Sequence, residues 1–499
     1  MDGSDIGRDT AGSGALLLGI DIGTTAVKVA VFTADGQPLA EHSTPYPISR
    51  PRPGWAEQDP WDWWRGCVDG MRAVMSAVPA ESVRAIGLTS QVNTHVFTDD
   101  QLQPLGPAIV WQDQRCADVA AELDARFTAE DKLRIWGSPI TLDASFVGAR
   151  AQWFATANPS AWADTRWVLG PKDFIAAQLT GRVATDLLSG VRVAGPQGYL
   201  PDAVGLVDGL ADRLPEILEP ETRLGRVDSA EVVVGTMDAY SAVFGSHATE
   251  PRRGMISCGT SLVVAGASER AHPAPGIVTF PPRHGYYVHA GPTQAGGDAV
   301  RWWSRVTGLR IEDVFDSAAA GSPGVLFTPH LSGERAPLWD ADIRASFLGM
   351  SSATTTADLS LAVLHGVAMS GRHVLEGVET ACGRSVPSVT FSGGGARSAL
   401  WAQIHADALE RPIESLRVRD SAVLGAALLG AVGIGIYPDI ESAAAATVHV
   451  ARTFVPAERA DRLRPLYGMY RATHSALATL HADLAAWRQS AADPPIPEA

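Results

Sequence analysis

The sequence predicts an α/β protein made of two halves that follow the same plan. The first half opens with an apolar strand at residues 16–22, a turn of small residues and a second strand from residue 26. The second half repeats this order at residues 254–265, with a Gly-Thr-Ser turn between two apolar segments. Each hairpin is followed by strands that alternate with helices, as in layered α/β proteins.

The turns of the two hairpins are Gly23-Thr24-Thr25 and Gly259-Thr260-Ser261. Glycine lets the backbone approach a phosphate, neighbouring N–H groups form anion-binding nests, and short hydroxyls donate hydrogen bonds. The strings of a P-loop and of a Rossmann dinucleotide site are absent. A single hairpin of this kind favours an ordinary small-residue turn, but its repetition favours two phosphate clamps that face each other across a cleft.

Two charged residues accompany the first hairpin. Asp21 ends a buried strand, where a carboxylate needs a cation, and Mg²⁺ bound to ATP is the usual one. Lys28 lies three residues beyond Thr25 and is one of three lysines, with Lys132 and Lys172. It could reach a phosphate as a compact point charge, and a solvated lysine on the strand face is the alternative.

Length and composition exclude several classes of protein. With 499 residues, 46% hydrophobic and 19% charged, the chain is expected to form two or more well-packed domains. A net charge of −15 disfavours a surface for nucleic acid or anionic membrane, so small molecules are the expected partners. The cysteines are widely spaced and predict neither disulfides nor a zinc site, which fits a reducing cytoplasm.

The expected domain boundaries follow from composition. Residues 1–14 lack the pattern of a signal peptide and predict a disordered stub, and no run is long and apolar enough to span a bilayer. The polar segment 245–254 predicts the crossover between the halves, and we expect a hinge there. The domains are then 15–247 and 248–485, with a tail at 486–499.

Several predicted strands end in polar residues. Segments 84–91 and 107–111 are apolar and are followed by polar side chains, and segment 232–237 ends at Asp238. Another strand, 388–392, leads into a triple-glycine turn before a helix. Open α/β sheets bind their ligands at such strand ends. For Asp238 alone, a carboxylate that caps a helix is the structural alternative.

In this order the segments resemble the FGGY family of carbohydrate kinases over about residues 16–448. Besides the two hairpins, the shared strings are 54–60, 172–174, 179–181, 185–186, 333–337, 393–398 and 425–427. The resemblance implies two duplicated ribonuclease H-like (actin-like ATPase) domains with a central cleft. It also implies phosphoryl transfer from ATP with Mg²⁺.

The resemblance assigns roles to individual residues. Asp238 is implied to be the catalytic base that takes the proton of the attacking alcohol, and Asp21 and Asp238 are implied to lie at the metal. The implied nucleotide-binding residues are Gly23, Thr24, Thr25, Lys28, Gly259, Thr260, Ser261, Gly394, Gly395 and Ala396. The implied substrate-binding residues are Gln91, Asn93, Trp111, Asp113, Arg115 and Asp238.

The segment Val92-Asn93 bears on the substrate. Within the family, glycerol kinases have an Arg-Glu pair at these positions and D-xylulose kinases a Met-His pair, and this chain has neither. The uncharged amide of Asn93 both donates and accepts, which suits a neutral polyhydroxylated substrate.

We therefore expect an ATP-dependent kinase that phosphorylates a terminal hydroxyl of a ketopentose. A D-xylulose-type sugar is the substrate we expect before any other. A polyol kinase acting on erythritol or glycerol, or a kinase for another ketose, is the nearest alternative. A nucleotide-switch ATPase without a sugar substrate is the alternative from another class. Dimerisation is common in the resembled family, but no feature of the sequence requires a homodimer.

Overall fold

The structure is a computed structural model that describes residues 14–136, 140–250, 252–282 and 285–490. The predicted N-terminal stub, except Gly14, and residues 491–499 of the predicted tail lie outside the described residues. The described chain divides into two compact units. The first comprises residues 14–245 and 421–448, and the second comprises the rest.

Strands and helices are numbered along the chain. The strands of the first unit are β1 (Leu16–Ile22), β2 (Ala26–Thr33), β3 (Pro38–Pro45), β4 (Glu57–Gln58), β5 (Val83–Ser90), β6 (Val96–Thr98), β7 (Ala108–Ile109), β8 (Trp167–Leu169), β9 (Ala184–Asp186), β10 (Ala194–Gly195), β11 (Gly198–Tyr199), β12 (Glu216–Leu218), β13 (Arg223–Val227), β14 (Ala230–Val233) and β15 (Thr236–Met237). The helices before residue 246 are α1 (Pro60–Met75), α2 (Ala117–Asp124), α3 (Ala129–Trp136), α4 (Val147–Ala157), α5 (Pro159–Asp164), α6 (Pro171–Thr180), α7 (Pro201–Val204) and α8 (Asp238–Gly245).

The numbering continues through the second half of the chain. Its strands are β16 (Arg253–Cys258), β17 (Leu262–Ser268), β18 (Val278–Thr279), β19 (Tyr287–Pro292), β20 (Leu326–Thr328), β21 (Ser346–Leu348), β22 (Ser388–Ser392), β23 (Ile413–Leu416) and β24 (Val450–Phe454). Its helices are α9 (Gly297–Thr307), α10 (Ile311–Ala320), α11 (Thr356–Cys382), α12 (Ala399–Leu409), α13 (Ser421–Gly433), α14 (Ile440–Thr447) and α15 (Arg459–Ser490).

The main sheets of the two units have the same arrangement, which confirms the predicted duplication. The first has the order β13-β14-β5-β1-β2-β3, with β15 also paired to β5. The second has the order β18-β19-β17-β16-β22-β23-β24. In both, the opening hairpin and its third strand are antiparallel, and the next two strands along the sheet run parallel to the first.

The central strand of the first unit explains how its sheet is covered. Every residue of β1 is buried, as expected for a strand packed on both faces. Helix α13 lies against β1 and β5, where a side chain on Gly87 would overlap the carbonyl oxygen of Ala426. Glycine in β5 therefore permits the helix backbone to approach the sheet.

Helices α13 and α14 distinguish the observed units from the predicted domains. The sequence placed residues 421–448 in the second half, but α13 packs on α8, β1 and β5 of the first unit. The apolar α13 is buried almost throughout, so it needs cover on several sides, which sequence distance does not predict. Residues 486–490, predicted as part of a tail, belong to α15.

Other local predictions are confirmed or shortened. Asp59 caps α1 by accepting a hydrogen bond from the N–H of Trp61, as its position before Pro60 predicts. The predicted strand 107–111 is reduced to the two residues of β7, which pair with β4. All four cysteines are buried free thiols. Among the helices described, none is both long and apolar enough to cross a membrane.

Candidate active site

The carboxyl ends of three neighbouring parallel strands form one edge of the first sheet. β5 lies between β1 and β15, and its Ser90 is aligned with Ile22 on one side and Met237 on the other. Asp21, Gln91 and Asp238 therefore come to the same edge. With about 4.8 Å between strands, and with Asp238 two residues beyond the position level with Asp21, the backbones of Asp21 and Asp238 lie roughly 12 Å apart.

Asp238 begins helix α8 directly after β15. One of its carboxylate oxygens, Oδ1, accepts a hydrogen bond from the N–H of Ala239 at 2.6 Å, and the residue is partly exposed. Gly235 precedes this strand with a φ of 72°, and a side chain there would overlap the carbonyl oxygen of Leu88. Only glycine fits this bend, which brings the chain back to β5 and presents Asp238 at the edge.

The hairpin between β1 and β2 is held by its own backbone and by a tyrosine. The N–H of Gly23 donates to the carbonyl of Ala26 at 3.0 Å, and the Tyr46 hydroxyl donates to the Gly23 carbonyl. Asp21 and Lys28 are cross-strand partners, with Lys28 Nζ 3.7 Å from Asp21 Oδ2. The Lys28 side chain is 45% exposed, so it pairs with Asp21 and still reaches solvent.

A closed ring of hydrogen bonds connects this hairpin to the predicted substrate segment. Gln58 Nε2 donates to the Thr24 carbonyl at 2.7 Å, and Trp111 Nε1 donates to the Thr24 hydroxyl at 3.1 Å. The Trp111 N–H donates to the Thr94 hydroxyl at 3.1 Å, which donates to Gln91 Oε1 at 3.2 Å. Gln91 Nε2 closes the ring on Gln58 Oε1 at 2.8 Å.

Gln58 and Thr94 were missed as site residues by the sequence analysis. Both are buried, and Thr24, Gln91 and Trp111 hydrogen-bond to their polar atoms, with Trp63 Nε1 as a further donor to Gln58 Oε1 at 3.1 Å. Gln58 stands in the shared string 54–60, but a glutamine in a string does not reveal its partner. The ring fixes the side chains of three predicted site residues in one network.

Asp113 and Arg115 bond to each other and to the segment that carries Gln58, and take no part in the ring. Asp113 is fully buried and accepts from the N–H of Ala56 at 2.6 Å and from the Arg115 guanidinium at 2.7 and 2.9 Å. Arg115 also pairs with Glu57 at 2.8 Å and lies 3.5 Å above the Trp55 ring. The pair thus positions the segment that presents Gln58, and direct contact with substrate stays a prediction.

A pocket within the first unit borders the substrate segment. Gln91 and Asn93 line it on one side, and Lys172, Ser189 and Tyr199 line it elsewhere. Asn93 has a φ of 56°, a left-handed conformation that asparagine tolerates better than most residues. The predicted substrate amides therefore line the same pocket.

A buried ionic cluster forms one wall of this pocket. Lys172 Nζ lies 2.6 Å from Asp173 Oδ1 and 3.0 Å from Asp186 Oδ1, and all three side chains are buried. Burial opposes the ammonium charge, but the two carboxylates outweigh it and raise the pKa of Lys172. Burial raises the pKa of Asp173, although Lys172 acts in the opposite direction.

The cluster is connected to the strand that presents Asp238. Asp186 Oδ2 accepts from the Thr236 hydroxyl at 2.7 Å, two residues before Asp238. The Thr236 carbonyl in turn accepts from the Thr89 hydroxyl at 2.7 Å. The shared strings 172–174 and 185–186 therefore meet in space and support the position of the candidate base.

In the second unit the predicted nucleotide-binding loops also lie side by side. Ser257 of β16 is aligned with Ser392 of β22, so the turns Gly259-Thr260-Ser261 and Gly394-Gly395-Ala396 follow neighbouring parallel strands. Gly259, Thr260 and Gly394 are exposed. Cys258 lies beneath the turns, and burial raises the pKa of its thiol to about 12.

A third loop, which was not predicted from the sequence, is bonded to the first of these turns. The N–H groups of Gly296 and Asp298 both donate to the Thr260 carbonyl at 3.0 Å, and the N–H of Gly297 donates to the Gly259 carbonyl at 2.9 Å. The signal available in the sequence was a Gly-Gly pair at the start of the amphipathic helix α9. Backbone amides thus hold the hairpin turn in the second unit.

Glu334, from the shared string 333–337, supports this third loop. Its carboxylate accepts from the N–H groups of Gln294 at 2.6 Å and Arg335 at 2.9 Å, and its other oxygen lies 2.9 Å from His330 Nδ1. Glu334 is buried, so these contacts take the place of water. The string 333–337 therefore has a structural role next to the loops.

Comparison with known proteins extends over both units. The model of the FGGY family of carbohydrate kinases, N-terminal domain, matches residues 16–190, and that of the C-terminal domain matches residues 254–434. A xylulose kinase from Staphylococcus epidermidis is 28% identical over 499 residues, covering 94% of this chain and 98% of the relative.

Solved structures give the same result for the fold. A xyloylose kinase from Brucella ovis superimposes with a TM-score of 0.83 at 28% identity, covering 93% of this chain and all of the other. A gluconate kinase from Lactobacillus acidophilus has a TM-score of 0.83 at 21% identity, covering 94% of this chain and 99% of the other, and shows the fold alone.

Proposed function

Because the chain belongs to the FGGY family of carbohydrate kinases, we propose that it transfers the γ-phosphoryl group of ATP to a terminal hydroxyl of a neutral ketopentose of the D-xylulose type. The observation that supports this most directly is the shared edge of the first sheet. Asp21, Gln91 and Asp238 lie at the carboxyl ends of adjacent parallel strands there, and Gln91 also lines the pocket of the first unit.

Asp238 is the base in this proposal. Phosphoryl transfer to an alcohol needs a carboxylate that accepts the hydroxyl proton as the new O–P bond forms. Asp238 is partly exposed at the sheet edge, and the bond from Ala239 occupies one side of its carboxylate. Thr236, held by Asp186, keeps the preceding strand in place.

Asp21 and Asp238 are oxygen donors of the kind that Mg²⁺ prefers. Asp21 is a buried carboxylate that borders the hairpin turn, and Lys28 lies only 3.7 Å away, so this edge combines anionic and cationic groups. When bound with the nucleotide, Mg²⁺ would neutralise charge on the phosphates. The loops around Gly259 and Gly394 would hold the nucleotide in the second unit.

The charges of the pocket favour a neutral sugar. Lys172 is the cation in its wall, and both of its nearest neighbours are carboxylates. A sugar acid would therefore meet no uncompensated cation there. Val92 and Asn93 provide no charged pair for a polyol of the glycerol type.

A panel of substrates tests the proposal. ADP release is measured with D-xylulose, other ketopentoses, erythritol, glycerol and gluconate, each against a control without acceptor. We expect D-xylulose or a close ketopentose to give the highest kcat/KM. A polyol as the best acceptor would contradict the ketopentose assignment, and ATP hydrolysis without stimulation by any acceptor would contradict the kinase assignment.

A further inference from the structure

His95 lies just beyond the substrate segment and lines the same pocket as Gln91 and Asn93. None of the roles that the family resemblance implies falls on this histidine. Its backbone forms hydrogen bonds of 2.9 and 3.1 Å with the backbone of Ile109, which fix the position of the His95 Cα. The chemistry of the imidazole is therefore decided by what surrounds its two nitrogens.

One of these nitrogens faces a permanent donor. Arg150 Nη1 lies 3.0 Å from His95 Nδ1. A guanidinium nitrogen cannot accept a hydrogen bond, so a hydrogen on Nδ1 would point at a donor, and the contact favours Nδ1 as the acceptor. The neutral ring then has its hydrogen on Nε2.

Arg150 cannot turn away from this contact. It is fully buried, and its guanidinium also donates to the carbonyls of Asn93, Ile109, Val110 and Ala144. No carboxylate is among these partners, so the positive charge is stabilised by carbonyl dipoles. Burial lowers the pKa of Arg150 to about 10, which still leaves it charged at neutral pH.

The charges around His95 keep it neutral. Burial and then the Arg150 charge hold the pKa of His95 well below its ordinary value. Across the pocket, Lys172 and Asp173 are paired with each other at 2.6 Å. Asp113, which follows β7, is bonded to Arg115 instead.

The second nitrogen is available to a ligand. Within the described part of the chain, no group bonds to Nε2, and this atom is not sealed from solvent. We propose that the Nε2–H of His95 is a fixed hydrogen-bond donor to a hydroxyl or carbonyl oxygen of the sugar, and so determines acceptor specificity. This inference rests on the proposed sugar kinase function.

Such a donor has two consequences for recognition. Its hydrogen bond does not depend on pH across the neutral range, because the tautomer is set by Arg150. It also favours a sugar with an oxygen at that position over a shorter or deoxygenated sugar, since the N–H would have no hydrogen-bond partner when the latter is bound.

Two substitutions separate the donor from the volume of the ring. His95→Leu replaces the imidazole with an apolar side chain of similar reach, and His95→Gln retains an N–H donor. We expect His95→Leu to raise the KM of the best sugar roughly 10- to 100-fold with the KM of ATP unchanged. His95→Gln should stay within about threefold of wild type.

His42→Leu is the matched control, because His42 is an exposed histidine on β3 of the same unit. An unchanged sugar KM in a folded, active His95→Leu enzyme would overturn the inference and leave the kinase assignment intact. Wild-type enzyme without sugar-stimulated turnover would instead overturn the proposed function, and this inference with it.

A measurement on the wild-type protein decides the matter if His95→Leu does not fold. Imidazole ¹⁵N NMR, with the His95 signals identified by their loss in His95→Gln, reports the tautomer directly. We expect a neutral ring with its hydrogen on Nε2 between about pH 5.5 and 8. A ring that titrates in this range, or that holds its hydrogen on Nδ1, would overturn the inference.

Discussion

In the first unit the polar ends of β1, β5 and β15 are connected by side-chain hydrogen bonds, whereas in the second unit the loops after β16 and β22 are connected by backbone amides. The ring through Gln58 and Gln91 is an example of the first kind. The bonds from Gly296 and Gly297 to the hairpin turn are examples of the second.

The difference follows from what each edge is proposed to bind. A base and a sugar pocket require side chains held at defined positions, which buried networks provide. A nucleotide's phosphates are bound well by N–H groups of glycine-rich turns, which need space and few side chains. The same sheet plan therefore serves two kinds of recognition.

The largest expected effect is the loss of kcat when the candidate base of the first unit is removed. Asp238→Ala should lower kcat for sugar phosphorylation roughly 10²- to 10⁴-fold, because the proton acceptor is lost. Nucleotide binding, measured by calorimetry, should be retained because the glycine loops are intact. The control is Asp208→Ala, an exposed carboxylate of the same unit; near-normal turnover in Asp238→Ala would refute the assignment of the base.

A second substitution tests the side-chain network of the first unit. Lys172→Met leaves the Asp173 and Asp186 carboxylates buried without their cation, and should lower the free energy of unfolding by about 3–5 kcal/mol. Arg464→Met is the comparison in the second unit, since this side chain is 58% exposed where it pairs with Glu410. Denaturant titration should show no measurable change for Arg464→Met.

If Lys172→Met and Arg464→Met have the same free energy of unfolding, the buried cluster is not needed for the stability of the first unit. A folded Lys172→Met protein should also have a lower kcat, because Asp186 holds Thr236 next to the candidate base. A normal kcat in that variant would separate the cluster from the active site.

The smallest expected effect tests the backbone loops of the second unit. In Gly395→Ala the new Cβ would lie 2.7 Å from the Cys258 sulfur, which displaces the turn. We expect the KM of ATP to rise about 5- to 50-fold while the sugar KM stays unchanged. Gly324→Ala is the control, because a Cβ there meets no atom within 4 Å.

Adding Cys258→Ala to Gly395→Ala removes the closest atom and should recover part of the ATP affinity. A rise in sugar KM rather than ATP KM would contradict the division of roles between the units. A double-mutant cycle on the two KM values measures the coupling directly.

Much of the fold could be predicted because its signals are local. The apolar strands, the small-residue turns and the capping Asp59 each depend on a few consecutive residues, and the structure confirms them. The family and its kinase chemistry were also identified from ordered strings. The placement of α13 was not predicted, because an apolar helix does not specify which sheet it covers.

The site was predicted less completely than the fold. Asp21, Gln91 and Asp238 were chosen because they end strands, and the sheet register brings them to one edge. Gln58, Thr94 and Gly297 were not chosen, since each matters through a partner distant in sequence. Asp113 and Arg115 were chosen as substrate residues; their charges pair with each other and with Glu57, and contact with the substrate stays a prediction.

By itself the sequence determined the duplicated plan, the two phosphate-type turns and the identity of the acidic strand ends, because hydrophobic period and turn chemistry are short-range properties. Only the tertiary structure decided which polar groups meet: the Gln58 ring, the Lys172 cluster, and Arg150 against His95. Those contacts join segments far apart in sequence, and burial makes their pairing obligatory without indicating in advance which partner will be used.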